Sequence, residues 1–217
     1  MPLNTLTVLR RVAPSAHANY VEAFRQGERL FEQHGITTPQ RMAHFLAQVM
    51  QETGRLKVLR ENMDYRVPRL LEIFGVGHHS ARVTQAEAPS LAHHPEALAE
   101  RVYGLGNPRK ARELGNTEPG DGFRYRGNGI LQTTGRGAHR TAGEAVGLDF
   151  EGRPELVTTP EHALKPALHE WTAGNLNRFA DRDDIRTITK RINGGLNGFE
   201  ERQAFFRRIR PLLREVS

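Results

Sequence analysis

Residues 39–52 carry Met42, Phe45, Leu46, Val49 and Met50 at helical spacing, so their side chains gather on one face of an α-helix. Thr38 can cap that helix, Pro39 suits its first position, and Gly54 offers a stop. The same periodicity recurs. Residues 15–33 set Tyr20, Phe24 and Phe31 on one face, and helices are expected at about 95–103, 136–146, 160–173, 184–192 and 199–214. Thr159 and Pro160 would open the 160–173 helix and Pro166 would kink it; Asp183 or Asp184 would cap the next. A chain of such stripes buries itself helix on helix, so the fold class is mainly α.

Two stretches differ. His78-His79, Ala88-Pro89, His93-His94-Pro95, Asn107-Pro108 and Glu118-Pro119-Gly120 punctuate residues 68–120, which read as short helices forming a smaller lobe inside one domain of residues 1–217. In 121–134, Phe123 and Tyr125 alternate with Arg124 and Arg126 before Gly127-Asn128-Gly129, and a small β-hairpin is expected there.

Composition narrows the chemistry. The 217 residues include no cysteine, which excludes disulfides, a thiolate nucleophile and Cys-ligated zinc or iron–sulfur sites. With 26% charged and 37% hydrophobic residues the chain reads as globular, and no run approaches the ~20 apolar residues of a membrane span. The segment Met1–Leu6 lacks a basic region followed by an apolar one, so no Sec signal is expected. The net charge is +6 and the pI about 10.1. Such a balance predicts polyanionic surroundings: nucleic acid, anionic membrane or acidic wall polymer. Sparse aromatics (7%) and the lack of a helix-turn-helix or RNA-binding motif argue against nucleic acid as a partner.

Glu52 shares a face with Phe45 and Val49 and stands in the last helical turn. Desolvation and the helix C-terminal dipole would both raise its pKa, which suits a general acid; a face rotated by one position would leave it solvated instead. Glu61 follows beyond the Gly54 turn, and two carboxylates in different environments are the minimal apparatus for glycoside hydrolysis. The plainer alternative makes Glu61 a surface partner of Arg60. Neighbouring histidines on a helix point about 100° apart, so His78-His79 and His93-His94 do not chelate readily. No metal or cofactor is expected. The C-terminal helix, with five arginines from Arg202 to Arg214, reads either as a terminal core helix with a basic rim or as an anionic-membrane contact.

Taken in order, Phe45-Leu46-Ala47-Gln48, Gln51-Glu52-Thr53-Gly54, Glu61-Asn62-Met63-Asp64-Tyr65, the run from Leu98 to Gly104, the block from Asp121 to Arg136, Ile192-Asn193-Gly194-Gly195-Leu196-Asn197-Gly198 and Arg202 resemble glycoside hydrolase family 19, in particular its phage endolysin and bacterial peptidoglycan-hydrolase branch. The resemblance implies a lysozyme-like, two-lobed fold and an inverting mechanism, whose carboxyl pair stands about 6.5–9.5 Å apart. It implies that Glu52 is the general acid, Glu61 the general base and Thr134 the hydroxyl that holds the water. Gln132, Asn193, Tyr125 and Arg202 match substrate-contacting or supporting positions. Gln51 where the family often has His, and Gly127-Asn128-Gly129 for the usual Gly-Arg-Gly, are departures. The function implied is cleavage of the β-1,4 glycan of peptidoglycan by a monomeric N-acetylmuramidase, made in the host cytoplasm and reaching the periplasmic wall through a holin pore, with its basic surface suited to an anionic outer membrane. A chitinase, a secreted antibacterial toxin and a non-catalytic basic nucleic-acid-binding module are the alternatives.

Overall fold

The computed structural model describes residues 4–214, and the side chain of Arg214 is outside that description, as are residues 1–3, which belong to the leader reading. In chain order the helices are α1 (Thr5–Val12), α2 (Ala18–Gln26), α3 (Glu28–Gln33), α4 (Pro39–Glu52), α5 (Val67–Phe74), α6 (Ala88–Leu91), α7 (Pro95–Tyr103), α8 (Pro108–Leu114), α9 (Asp121–Arg124), α10 (Arg136–Val146), α11 (Lys165–Ala173), α12 (Asn177–Ala180), α13 (Ile185–Asn193) and α14 (Phe199–Arg214). None is long and apolar enough to cross a membrane. The chain divides into two compact units. One holds residues 1–59, 129–131 and 156–217; the other holds residues 60–128 and 132–155.

In the first unit α4 is the central element. Thr38 accepts from the Arg41 N–H and Pro39 opens the helix, as the sequence predicts. Every residue from Met42 to Met50 is buried, so α4 is enclosed on all sides rather than amphipathic. Phe24, Phe31, Phe45 and Trp171 form a run of ring contacts with centroids 5.7, 5.8 and 5.5 Å apart. Burying each ring contributes roughly 1.5–3 kcal/mol. Helix α14 packs along α4 through Phe206, Ile209 and Leu213, and the buried His44 ring stacks on Phe206 at 4.1 Å.

The second unit has its own core of Met63, Leu70, Phe74, Val83, Leu98, Ala99 and Val102. Contacts between rings run from Tyr65 to Phe74, His79 and Tyr103. His79 is thus a core ring; His78, His93 and His94 are exposed. Among the described residues no group of three or more His, Asp or Glu is placed to hold a metal.

Several expected elements differ in detail. The 15–33 helix is two, because Gly27 forms an elbow in which a Cβ would lie 2.6 Å from Leu164 Cδ1. The 160–173 helix begins only at Lys165; Pro166 lies in its first turn, where a missing N–H costs nothing, and makes no kink. The hairpin at 121–134 is mostly not a hairpin. Asp121 accepts from the Thr117 and Glu118 N–H groups, Gly120 takes a left-handed conformation, and α9 follows. Strand pairing shrinks to bridges Asn128–Thr133 and Arg60–Asn128. The period-two alternation arose from a helical turn in which Arg126 lies over the Phe123 ring at 3.9 Å.

Candidate active site

Glu52 ends α4, with its side chain 20% exposed. It does not stand against apolar groups alone, as its helix phase suggests. Arg202, buried in the first turn of α14, donates from Nη2 to Glu52 Oε1 and from Nη1 to Gln48 Oε1 at 2.7 Å. Gln48 is one turn before Glu52 and itself buried, with Nε2 3.5 Å from Thr189 Oγ1. The α14 start is set by close packing: a Cβ on Gly198 would lie 2.6 Å from Gln51 Nε2. Glu170 on α11 adds a second carboxyl to this neighbourhood; burial pushes its pKa up and the Glu52 charge adds to the effect. Arg202, which the resemblance makes a substrate-contacting or supporting residue, here bonds Glu52 and Gln48. Asn193 closes α13 against left-handed Gly194, the helix end its sequence suggests, and is half-buried, with Nδ2 3.4 Å from Asn197 O.

The second unit places Glu61, Gln132 and Thr134 around one turn. Glu61 N–H donates to Gly127 O at 2.7 Å, and the Gly127 N–H donates to Glu61 Oε2 at 3.2 Å. Tyr103 Oη donates to Glu61 Oε1 at 2.8 Å. Both carboxylate oxygens thus accept from a neutral donor, and the surface ion pair with Arg60 is not formed. Burial pushes the Glu61 pKa up; the Tyr103 and Gly127 hydrogen bonds and the Arg126 charge pull against that rise. Burial and the adjacent carboxylate drive the Tyr103 hydroxyl far above its ordinary range, so it remains a donor. Gly127 packs tightly here: a Cβ there would lie 2.8 Å from Gln132 Oε1 and 3.3 Å from Glu61 Cβ, so a larger residue would displace the Gln132 side chain. Thr134 Oγ1 donates to Gln132 O at 2.8 Å, which leaves its lone pairs to accept. Tyr125 is not a sugar contact in this structure: it is 1% exposed and its hydroxyl donates to Glu151 O at 2.8 Å.

Sequence reasoning assigned no role to Gln48, Tyr103 or Glu170. Gln48 is signalled by its four-residue spacing from Glu52, whereas Tyr103 and Glu170 meet their partners only through tertiary structure.

No family model matches the chain. A glycosyl hydrolase family 19 domain-containing protein of Haemophilus influenzae is 32% identical over 181 residues, spanning 82% of each chain. Chitinase 8 of Oryza sativa subsp. japonica is 33% identical over 92 residues, 33% of this chain and 35% of its own. In structure the chain is similar to chitinase C of Streptomyces griseus HUT6037 (TM-score 0.58, 18% identity, 95% of this chain and 90% of that one). A bacterial family 19 chitinase gives a TM-score of 0.62 at 18% identity, with 95% and 93% covered. The mainly helical, lysozyme-like fold class is that of these chitinases. Fold and relatives together define a glycosidase. The chain belongs to glycosyl hydrolase family 19.

Proposed function

We propose that the chain is an endolysin-type peptidoglycan hydrolase, an N-acetylmuramidase that inverts configuration at the bond it cleaves. The supporting observation is charge. Chitin is a neutral polymer and gives a surface of net charge +6 nothing to attract, whereas peptidoglycan and the outer membrane are polyanionic. In this reading the protein is a monomer made in the host cytoplasm, released through a holin pore and active on the periplasmic wall, with no nucleic-acid partner. Glu52 protonates the leaving oxygen and Glu61 takes a proton from the attacking water. Thr134 accepts the second water hydrogen, so the water lone pair is left free to attack. Gln132 and Asn193 bind the sugar.

A raised Glu61 pKa suits this task, since a base is most effective when its pKa approaches the working pH. The base acts ionised, so activity is lost as pH falls through its pKa. Tyr103→Phe removes a donor that favours the ionised form, so the acidic limb of kcat/KM is expected to move to higher pH. A limb that stays in place or moves down would refute the Tyr103 contribution.

The second reading, a chitinase, is favoured by the names of the rice relative and the structural neighbours. Mass spectrometry of products from purified peptidoglycan and from chitin oligomers separates the two, with Glu52→Gln as the blank. Soluble muropeptides ending in reducing N-acetylmuramic acid are expected. Release from chitin oligomers alone would overturn the peptidoglycan reading.

A further inference from the structure

The second unit contains an open cavity of about 490 Å³ lined in part by Arg60, Phe123, Arg124, Arg126 and Asn128. That volume lies within the range of small-ligand sites. The cavity adjoins Glu61: Arg60 precedes it in sequence, and Arg126 Nε donates to Glu61 O at 3.2 Å. Its charge is unbalanced. Among the described residues Arg60, Arg124 and Arg126 form no ion pair, whereas Arg136 and Arg140 of the same unit bind Asp121 and Glu151. Arg124 and Arg126 are instead oriented by backbone carbonyls, Arg124 Nη2 to Gly152 O at 2.7 Å and Arg126 Nη1 to Phe123 O at 2.7 Å. Facing them are two acids. Glu155 is paired with Arg153 at 3.4 Å, and Glu96 lies in the first turn of α7. Burial and the Arg60 charge both disfavour the Arg126 cation, and the nearby Glu61 charge only partly offsets them. Buried Asn128 adds an unmet acceptor: its Nδ2 reaches His139 Nε2 at 3.4 Å, while Oδ1 has no partner.

Guanidinium groups with no bonded carboxylate, two of them oriented by backbone carbonyls, match a ligand that brings one, because a planar fork binds a carboxylate bidentately. We propose that this cavity is a subsite for a carboxylate-bearing substituent of the glycan, held by Arg60, Arg124 and Arg126 beside the catalytic base. The proposal rests on the peptidoglycan reading and deepens it, since chitin has no such group. The carboxylate can come from the stem peptide or, once that peptide is removed, from the lactyl ether it leaves behind.

The test compares the wild-type chain with the Arg60→Gln/Arg124→Gln double variant on three substrates: native peptidoglycan, amidase-stripped glycan with free lactyl acids, and peptidoglycan whose carboxyls are converted to methylamides. On native peptidoglycan the variant is expected to raise KM about tenfold with kcat nearly unchanged. On methylamidated substrate the two proteins should match. Loss on native material, whose lactyl group is tied up as an amide, assigns the stem peptide; loss confined to stripped glycan assigns the lactyl carboxylate. Equal KM values for the two proteins on both native peptidoglycan and stripped glycan, or the same difference on methylamidated substrate, would overturn the subsite and leave the muramidase reading standing. A wild type that releases nothing from any peptidoglycan would overturn both.

Discussion

Glu61→Ala and Glu52→Gln are each expected to lower kcat on the natural glycan by about 10²–10⁴-fold, and their rescues should differ. Azide needs no deprotonation before it attacks, so it should restore turnover to Glu61→Ala and yield a glycosyl azide of inverted configuration. It should not restore Glu52→Gln, which retains its base and lacks a proton for the leaving oxygen. An aryl glycoside with an acidic phenol as leaving group needs no such proton, and it should recover Glu52→Gln selectively. The crossed experiment matters because the setting of Glu52 is not the apolar one that its helix phase suggests. Glu61 is the carboxyl whose pKa burial raises, and Glu52 is the one that faces a guanidinium. Azide rescue of a Glu52 variant, with Glu61→Ala recovered by the activated aryl glycoside, would exchange the two roles.

The same difference marks how far the sequence could be read. The position of Glu52 on α4 was legible because a helix is specified locally: Thr38 and Pro39 fix its start and the apolar pattern from Met42 to Met50 its course, although that run is buried all round and selects no single face. Its electrostatic setting was not legible, because Arg202 lies 150 residues later and reaches Glu52 only by the packing of α14 on α4. Glu61 shows the same limit. Its neighbour in sequence is Arg60, but its hydrogen-bond partners are Gly127 and Tyr103, brought in by the 127–134 turn and by α7. The expected hairpin failed for a different reason. Alternation of Phe123, Arg124, Tyr125 and Arg126 fits a strand, yet the Asp121 carboxylate closes a turn on the Thr117 and Glu118 N–H groups and a helical turn follows left-handed Gly120, and local side-chain-to-backbone bonds of this kind compete with sheet pairing.

Arg202→Met should destabilise the protein by about 3 kcal/mol, the lower end of the cost of breaking a buried ion pair. At this chain length the loss corresponds to a fall in Tm of roughly 6–12 °C. The guanidinium is 3% exposed, and its removal leaves both Glu52 and Gln48 Oε1 without their donor. Methionine can follow the path of the arginine stem, so most of the loss is electrostatic rather than a packing void. A double-mutant cycle tests this directly: with Glu52→Gln in the background, Arg202→Met should cost far less, because no carboxylate is stranded. Equal costs in both backgrounds would show that Arg202 acts by packing alone. Arg202→Lys keeps the charge but not the fork, so it should retain one of the two contacts and lose less stability than Met. Its kcat should still fall with KM nearly unchanged, since a single ammonium cannot fix Gln48 and the Glu52 carboxyl together. In the wild type Arg202 Nε has no partner, so the guanidinium is held in this pocket with one buried N–H unmet, at a cost in stability. Such a cost is expected of a group retained to aim a proton donor, and a catalytic defect in Arg202→Lys larger than its loss of stability is the signature of that role.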